Sequence, residues 1–149
     1  MSSKQIITDK DKIEQILNQG TVCTVAMSVN DKPYQVALNY GYENGYLYFH
    51  SSKKGKKIEI LKKNPEVCFL IQTDVEIVRS EEACDWSMKY KSVMGFGRVV
   101  FIHDINKKIS ALKILMRQYS QKDFTITEPK AEQVCVFKIE IESMTLKST

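Results

Sequence analysis

The residues of this chain best suited to chemistry lie together in Tyr46-Leu47-Tyr48-Phe49-His50-Ser51-Ser52-Lys53-Lys54-Gly55-Lys56-Lys57, an aromatic strand that empties into an imidazole, two hydroxyls, a glycine and lysines. Such donors at a strand-to-helix junction suit a phosphate. The first N–H groups of a helix have no intrahelical partner, and the helix dipole is positive at that end. The spacing is not that of a Walker loop, which sets two glycines ahead of Lys-Ser or Lys-Thr, so nucleoside triphosphate hydrolysis is not indicated. His50 is the candidate for proton transfer, because an imidazole gives and regains a proton near neutral pH. Plainer readings compete with both. The six lysines between Lys53 and Lys63 would also make a solvated helix face, and a strand-end histidine can be satisfied by a backbone carbonyl.

These residues need a scaffold, and the apolar periodicity outlines one. Tyr46, Tyr48 and His50 alternate with Leu47, Phe49 and Ser51, as a strand requires. Lys56 to Lys63 reads as a short amphipathic helix closed by Asn64-Pro65. A first helix is expected from about Asp9 to Asn18, with Thr8 as its cap and Gly20 as its end. The runs Thr21 to Ser28 and Pro33 to Tyr40 form a hairpin about Asn30-Asp31-Lys32, and Glu43-Asn44-Gly45 turns the chain so that Tyr46 to Ser51 pairs back, giving three sequential antiparallel strands. Val67 to Gln72 and Val75 to Val78 are one strand or two, followed by a polar loop from Arg79 to Met88. Tyr90 to His103 is a long strand whose Gly95 and Gly97 mark a bend, a bulge or a close backbone approach. Asp104 caps a helix from Ile105 to Ser120, with Ile105, Ile109, Leu112, Met116 and Tyr119 as a core-facing stripe. Gln133 to Glu142 is the last strand. The expected fold is therefore mainly β with three flanking helices: six to seven antiparallel strands curled into a barrel, which would remove the sheet edges.

Composition narrows the function classes. The 149 residues are 43% hydrophobic and 27% charged, fitting one globular domain over residues 1–149. The net charge of +4 is modest for a nucleic-acid binder, and the lysine segment carries no interleaved aromatics for base stacking, so no nucleic-acid partner is expected. No apolar run reaches bilayer length and the N-terminus lacks a signal-peptide pattern, so no membrane partner and a cytoplasmic location are expected. Cys23, Cys68 and Cys135 lie in apolar strands and read as buried thiols. Cys84 and Trp86 lie in the polar loop. With two histidines and no Cys-x-x-Cys pair, no metal site is expected.

Three stretches carry a family resemblance: Pro33-Tyr34-Gln35-Val36-Ala37-Leu38-Asn39-Tyr40-Gly41-Tyr42, the Tyr46 to Lys57 segment, and Cys84-Asp85-Trp86-Ser87-Met88-Lys89-Tyr90-Lys91-Ser92-Val93-Met94-Gly95-Phe96-Gly97-Arg98. In that order the chain resembles the pyridoxamine 5'-phosphate oxidase-like FMN-binding split barrels, in particular their nitroimidazole-reductase branch. The resemblance implies an FMN-dependent oxidoreductase, a homodimer with FMN at the interface and a small flat acceptor such as a nitroaromatic. It implies that the isoalloxazine edge lies along Gln35, Val36, Ala37, Leu38 and Asn39, that His50 and Ser51 line the phosphate-ribityl channel, that Lys56 and Lys57 neutralise the phosphate, and that Ser92 contacts flavin from the other subunit. Trp86 sits in a loop that could reach over a neighbouring flavin or pack on the barrel. The chain ends at Thr149 without the C-terminal Trp and Arg segment of true pyridoxamine-phosphate oxidases, so that activity is not expected. The resemblance leaves two alternatives, a non-enzymatic flavin or haem carrier and a deazaflavin-dependent reductase.

Overall fold

The computed structural model describes residues 5–149. Eight strands and four helices follow one another as β1 (Gln5–Ile7), α1 (Lys10–Gln19), β2 (Cys23–Val29), β3 (Lys32–Leu38), β4 (Gly41–Glu43), β5 (Tyr46–Ser51), α2 (Lys56–Lys63), β6 (Glu66–Val78), β7 (Ser87–Ile102), α3 (Ile105–Tyr119), α4 (Glu128–Glu132) and β8 (Cys135–Ser148), with one 3-10 turn at Ala83–Asp85. The sheet runs β3-β2-β6-β7-β8-β5-β4, with β1 added on β8, and all pairs are antiparallel. This is a split β-barrel, and it corrects the expectation of closure. β3 and β4 are consecutive in the chain but stand at opposite ends of the strand order, and no ladder joins them.

The same arrangement corrects the run of three sequential strands. The hairpin β2-β3 forms about Asn30 and Asp31, both at positive φ, with Val25 opposite Val36. The next ladder, however, is β4 with β5, three pairs long, and β5 then pairs with β8 from Tyr46↔Glu140 to Ser51↔Cys135. Pro33 to Tyr40 is not one strand because Tyr40 leaves the sheet for the core. Its ring is fully buried and its hydroxyl donates to Leu17 O at 2.6 Å. An aromatic ring that finds both cover and a hydrogen-bond partner off the sheet outweighs two more residues of edge pairing.

Helix ends follow local chemistry. Asp9, rather than Thr8, caps α1, its carboxylate accepting from the N–H groups of Asp11 and Lys12. Asp104 caps α3 through Lys107 N at 3.0 Å. Asn64 closes α2 and donates to Ser28 O at 2.9 Å, which ties the helix to β2. The β6–β7 ladder carries a register shift between Thr73 and Glu76, so the two short runs are one strand with a bulge. Gly97 sits at a second register shift, where a Cβ would meet Glu140 O at 2.5 Å. The core takes alternate residues from these strands: Leu47 and Phe49 of β5, Phe69 and Ile71 of β6, Val93 of β7, and Phe137 and Ile139 of β8 are all sealed from water. Each such side chain contributes roughly 1.5–3 kcal/mol through burial. Phe49 stacks on Phe137 at 5.2 Å between centroids.

The stripe expected on α3 is displaced. Its buried side chains are Lys108, Ala111 and Leu115, while Ile109, Leu112 and Met116 are half-buried and Tyr119 is exposed. Among the described residues the cysteines are free thiols. Cys23 is buried, Cys68 and Cys135 are half-buried, and Cys84 is exposed. Among the described residues no helix is long and apolar enough to cross a membrane.

Candidate functional site

Two pieces of backbone and one imidazole converge at one end of the sheet. The first piece is β3, an edge strand whose outward residues Gln35 and Ala37 are exposed, as is Asn39 just past its end, while Tyr34, Val36 and Leu38 pack against the core. Edge strands offer unpaired backbone donors and acceptors, the groups needed to read a planar heterocycle. The second piece is the N-terminus of α2. Gly55 precedes it at φ 134, a conformation that favours glycine, and no side chain caps the helix. Uncapped N–H groups therefore stand beside Lys56 and Lys57. The Lys56 ammonium lies 5.0 Å from the centre of the Tyr34 ring, which places this helix start alongside β3.

His50 and Ser51 end β5. Period two sends them to opposite faces: Ser51 is buried, 9% exposed, and donates to Ser52 O at 2.9 Å, while His50 is half-buried on the outer face. Ser52 Oγ donates to Lys54 O at 2.8 Å, which shapes the loop into α2. Burial, helped by the charge of Lys57, holds the His50 imidazole below its usual 6.5. It is therefore neutral at pH 7 and acts there as a hydrogen-bonding group, with its proton available only on acidification.

His50 and Asn39 meet at a cavity of about 320 Å³ walled by Leu112, Met116, Tyr119 and Phe124. Its roof is held by the C-terminal turn of α3. Gln118 Nε2 donates to Leu17 O, Asn18 O and Gly20 O at 2.9, 3.1 and 3.0 Å, and Gln118 Oε1 accepts from Tyr42 N at 3.1 Å. The Tyr119 hydroxyl accepts from Tyr40 N at 2.8 Å and donates to Thr21 O at 2.7 Å. Two adjacent side chains thus fix the β3-to-β4 link that carries Asn39. The displaced α3 stripe has its explanation here, because Leu112, Met116 and Tyr119 line this cavity. Sequence reasoning missed Phe124, Ile126 and Lys130, which also line it. The available signal was the alternation Phe124-Thr125-Ile126 just ahead of the Glu128-Pro129 helix start.

The structure brings Lys56 against Tyr34 of β3, sets the Lys57 charge near His50 and joins His50 to Asn39 at one cavity, while Gln35 and Ala37 stay on the exposed face of β3 and Ser51 turns inward. It does not bring Ser92 to them within one chain. Ser92 is opposite Gln72 on β6, next to the row Val93, Ile71, Cys23 and Leu38, so it stands three strands from the end of β3, about 15 Å at ~4.8 Å per strand. Ser92 is also 7% exposed, covered within the protomer. Trp86 is exposed, with the Arg79 guanidinium 5.5 Å from its ring centre.

The family model described as pyridoxamine 5'-phosphate oxidase matches residues 9–148. The chain belongs to the pyridoxamine 5'-phosphate oxidase family. Among solved structures, a family relative from Bacteroides thetaiotaomicron assigned to 5-nitroimidazole antibiotic resistance is 38% identical, with a TM-score of 0.87 over 97% of this chain and 87% of that one. It supports the nitroimidazole-resistance branch of the family. The FAD- and haem-binding protein of Mycobacterium smegmatis is 17% identical, with a TM-score of 0.86 over 97% of this chain and 73% of that one. The flavocytochrome Anf3 of Azotobacter vinelandii is 19% identical, with a TM-score of 0.84 over 97% and 69%. At those identities the last two show the shared fold. No curated protein matches the chain.

Proposed function

We propose that this protein is an FMN-dependent oxidoreductase that delivers reducing equivalents to a small flat acceptor, with a nitroaromatic as the first acceptor to test. The observation that carries this reading is the uncapped start of α2, with Gly55, Lys56 and Lys57, set alongside the exposed edge of β3. An anion site beside an unpaired strand edge suits a ligand with a phosphate at one end and a hydrogen-bonding ring at the other. The residues fit FMN at its phosphate end: Lys56, Lys57 and the α2 N–H groups would hold the phosphate, His50 the ribityl chain, and the backbone of Gln35 to Asn39 the pyrimidine edge, while Ser51, turned to the other face, would reach the ribityl chain only through the loop it shapes with Ser52. FMN would supply the electron-carrying chemistry. The chain's own tasks are to orient the ring, keep water from one face and place the His50 proton at the acceptor.

A homodimer is part of the same proposal. Met88, Met94 and Phe96 stand exposed along β7, Phe96 at 51%, and an apolar row on a sheet face suits a second copy of the chain. A second copy would also be the source of the Ser92 contact with flavin that the family resemblance implies. The alternative is a flavin or haem carrier that does not turn over.

The test is to record the visible spectrum of the purified protein, add FMN with fluorescence detection, reduce the bound flavin, and time its reoxidation by a nitroimidazole against oxygen. Faster reoxidation by the nitroimidazole is expected. Tight FMN binding with reoxidation by oxygen alone would replace the reductase reading with the carrier. No FMN binding, or a haem or deazaflavin absorption in its place, would remove FMN.

A further inference from the structure

Where β7 passes into α3 and β8 begins, a second cavity of about 470 Å³ opens between α2 and α3. It is walled by Ile58, Phe101 and Val136 and rimmed by Lys53, Lys62 and Lys108, while neither Ser51, Lys56 nor Lys57 contributes to it. Lys108 is the anomaly. It is 8% exposed, its Nζ donates to Val134 O at 2.8 Å, and among the described residues no carboxylate lies within 4.0 Å of it. An ammonium carries three donors, and a cation is rarely buried without a counter-charge. Lys53 and Lys62 likewise have no ion-pair partner among the described residues. Their charges converge on one point: burial pushes the Cys135 thiol up, while Lys108, Lys62 and Lys53, with Lys57 last, pull it back down. Glu132, at the rim, offsets one of three positive charges.

We propose that this cavity is an anion site separate from the α2 N-terminus, taking a small organic phosphate whose oxygens meet Lys53, Lys62 and Lys108 and whose apolar body lies on Ile58, Phe101 and Val136. The volume exceeds what a bare phosphate fills and falls in the range of small-molecule pockets. Three ammonium groups match a dianion, and the apolar wall adds selectivity for an ester over the free ion. The Cys135 thiol, half-buried in the same wall, reports on occupancy.

The probe is phenyl phosphate, titrated calorimetrically into the protein with and without excess FMN, alongside inorganic phosphate. Saturable binding that survives excess FMN is expected, tighter for phenyl phosphate than for inorganic phosphate, and accompanied by slower alkylation of Cys135 by iodoacetamide. Lys53→Gln with Lys62→Gln, both at exposed positions, should weaken it about tenfold or more, since each charge-assisted contact is worth about that much. Lys56→Gln with Lys57→Gln should weaken it far less, because Lys57 acts on the cavity only through its longer-range charge. No saturable binding, displacement by FMN, or loss only in the Lys56 and Lys57 variant would overturn the proposal. A protein that ignored FMN yet bound phenyl phosphate through Lys53 and Lys62 would keep this site and lose the proposed oxidoreductase function.

Discussion

Replacing Lys56 and Lys57 together with Ala separates a phosphate site from a solvated helix face, because the two readings predict opposite balances of binding and stability. Both lysines occupy the first turn of α2, behind Gly55 and without a side-chain cap. Positive charge there opposes the helix dipole, at about 0.3–1 kcal/mol each. Removing both therefore favours folding, offset in part by the lost contact of Lys56 with the Tyr34 ring, worth about 0.5–1 kcal/mol at an exposed position. The unliganded variant should range from unchanged to about 1 kcal/mol more stable, a rise of up to about 2–4 °C in Tm. FMN affinity should move the other way. Two charge-assisted phosphate contacts, taken at the low end of about 1.5 kcal/mol each because Lys56 is exposed, amount to about a hundredfold weaker binding. Thermal unfolding without ligand and FMN fluorescence titration at low and high salt read the two quantities separately. Lys63→Ala is the control: it removes the same charge from the favourable end of α2, so it should cost about 0.3–1 kcal/mol of stability and leave FMN affinity alone. A double variant that binds FMN as tightly as the parent would refute the phosphate assignment, and one that loses stability and affinity together would refute the dipole argument.

Other outcomes follow from the same geometry. Because burial and Lys57 hold His50 below 6.5, the unfolded chain takes up a proton that the folded one resists; stability should fall as pH drops below about 6.5, and His50→Gln should flatten that limb in denaturant titrations. If His50 supplies the acceptor's proton, stopped-flow acceptor reduction should accelerate on acidification through that range, and His50→Ala should abolish the acceleration while sparing FMN binding. Gln118→Ala removes two N–H donors shared among three carbonyls and one accepted hydrogen bond, so it should cost roughly 1–3 kcal/mol by chemical denaturation, and it should loosen the β3-to-β4 link, seen as faster amide exchange at Tyr40 and Tyr42. Phe96→Glu places a charge in the exposed row on β7; light scattering should show the homodimer dissociating to monomer without a change in Tm of the isolated fold.

Local features were legible in the sequence wherever local chemistry decides. The alternation in Tyr46 to Ser51, the Asp104 cap, the Asn64-Pro65 stop and the Asn30-Asp31 turn all depend on residues within a few positions of one another, and the structure keeps each. The family was legible too, because its motifs are short and ordered along the chain. Pairing was not. Nothing near Pro33 to Tyr40 in sequence says that Tyr40 will find Leu17 O, or that β5 will choose β8, some ninety residues on, over β3. The first helix cap was missed by one residue because Thr8 and Asp9 are both competent caps, and geometry selected the carboxylate.

The sequence by itself determined which residues could bind an anion, since a glycine with lysines after an aromatic strand is a local arrangement of donors. Only the tertiary structure decided what else they meet. Folding drew Gln118 and Tyr119 across the chain to pin the link bearing Asn39, opened a cavity behind His50, and lowered the readiness of its imidazole to hold a proton. It also set Ser92 three strands from the end of β3 and buried Lys108 without a carboxylate partner among the described residues. The physical reason is common to all of these: burial, partner choice and field at a side chain are sums over neighbours that are distant in the chain, and those neighbours exist only once the sheet has chosen its register.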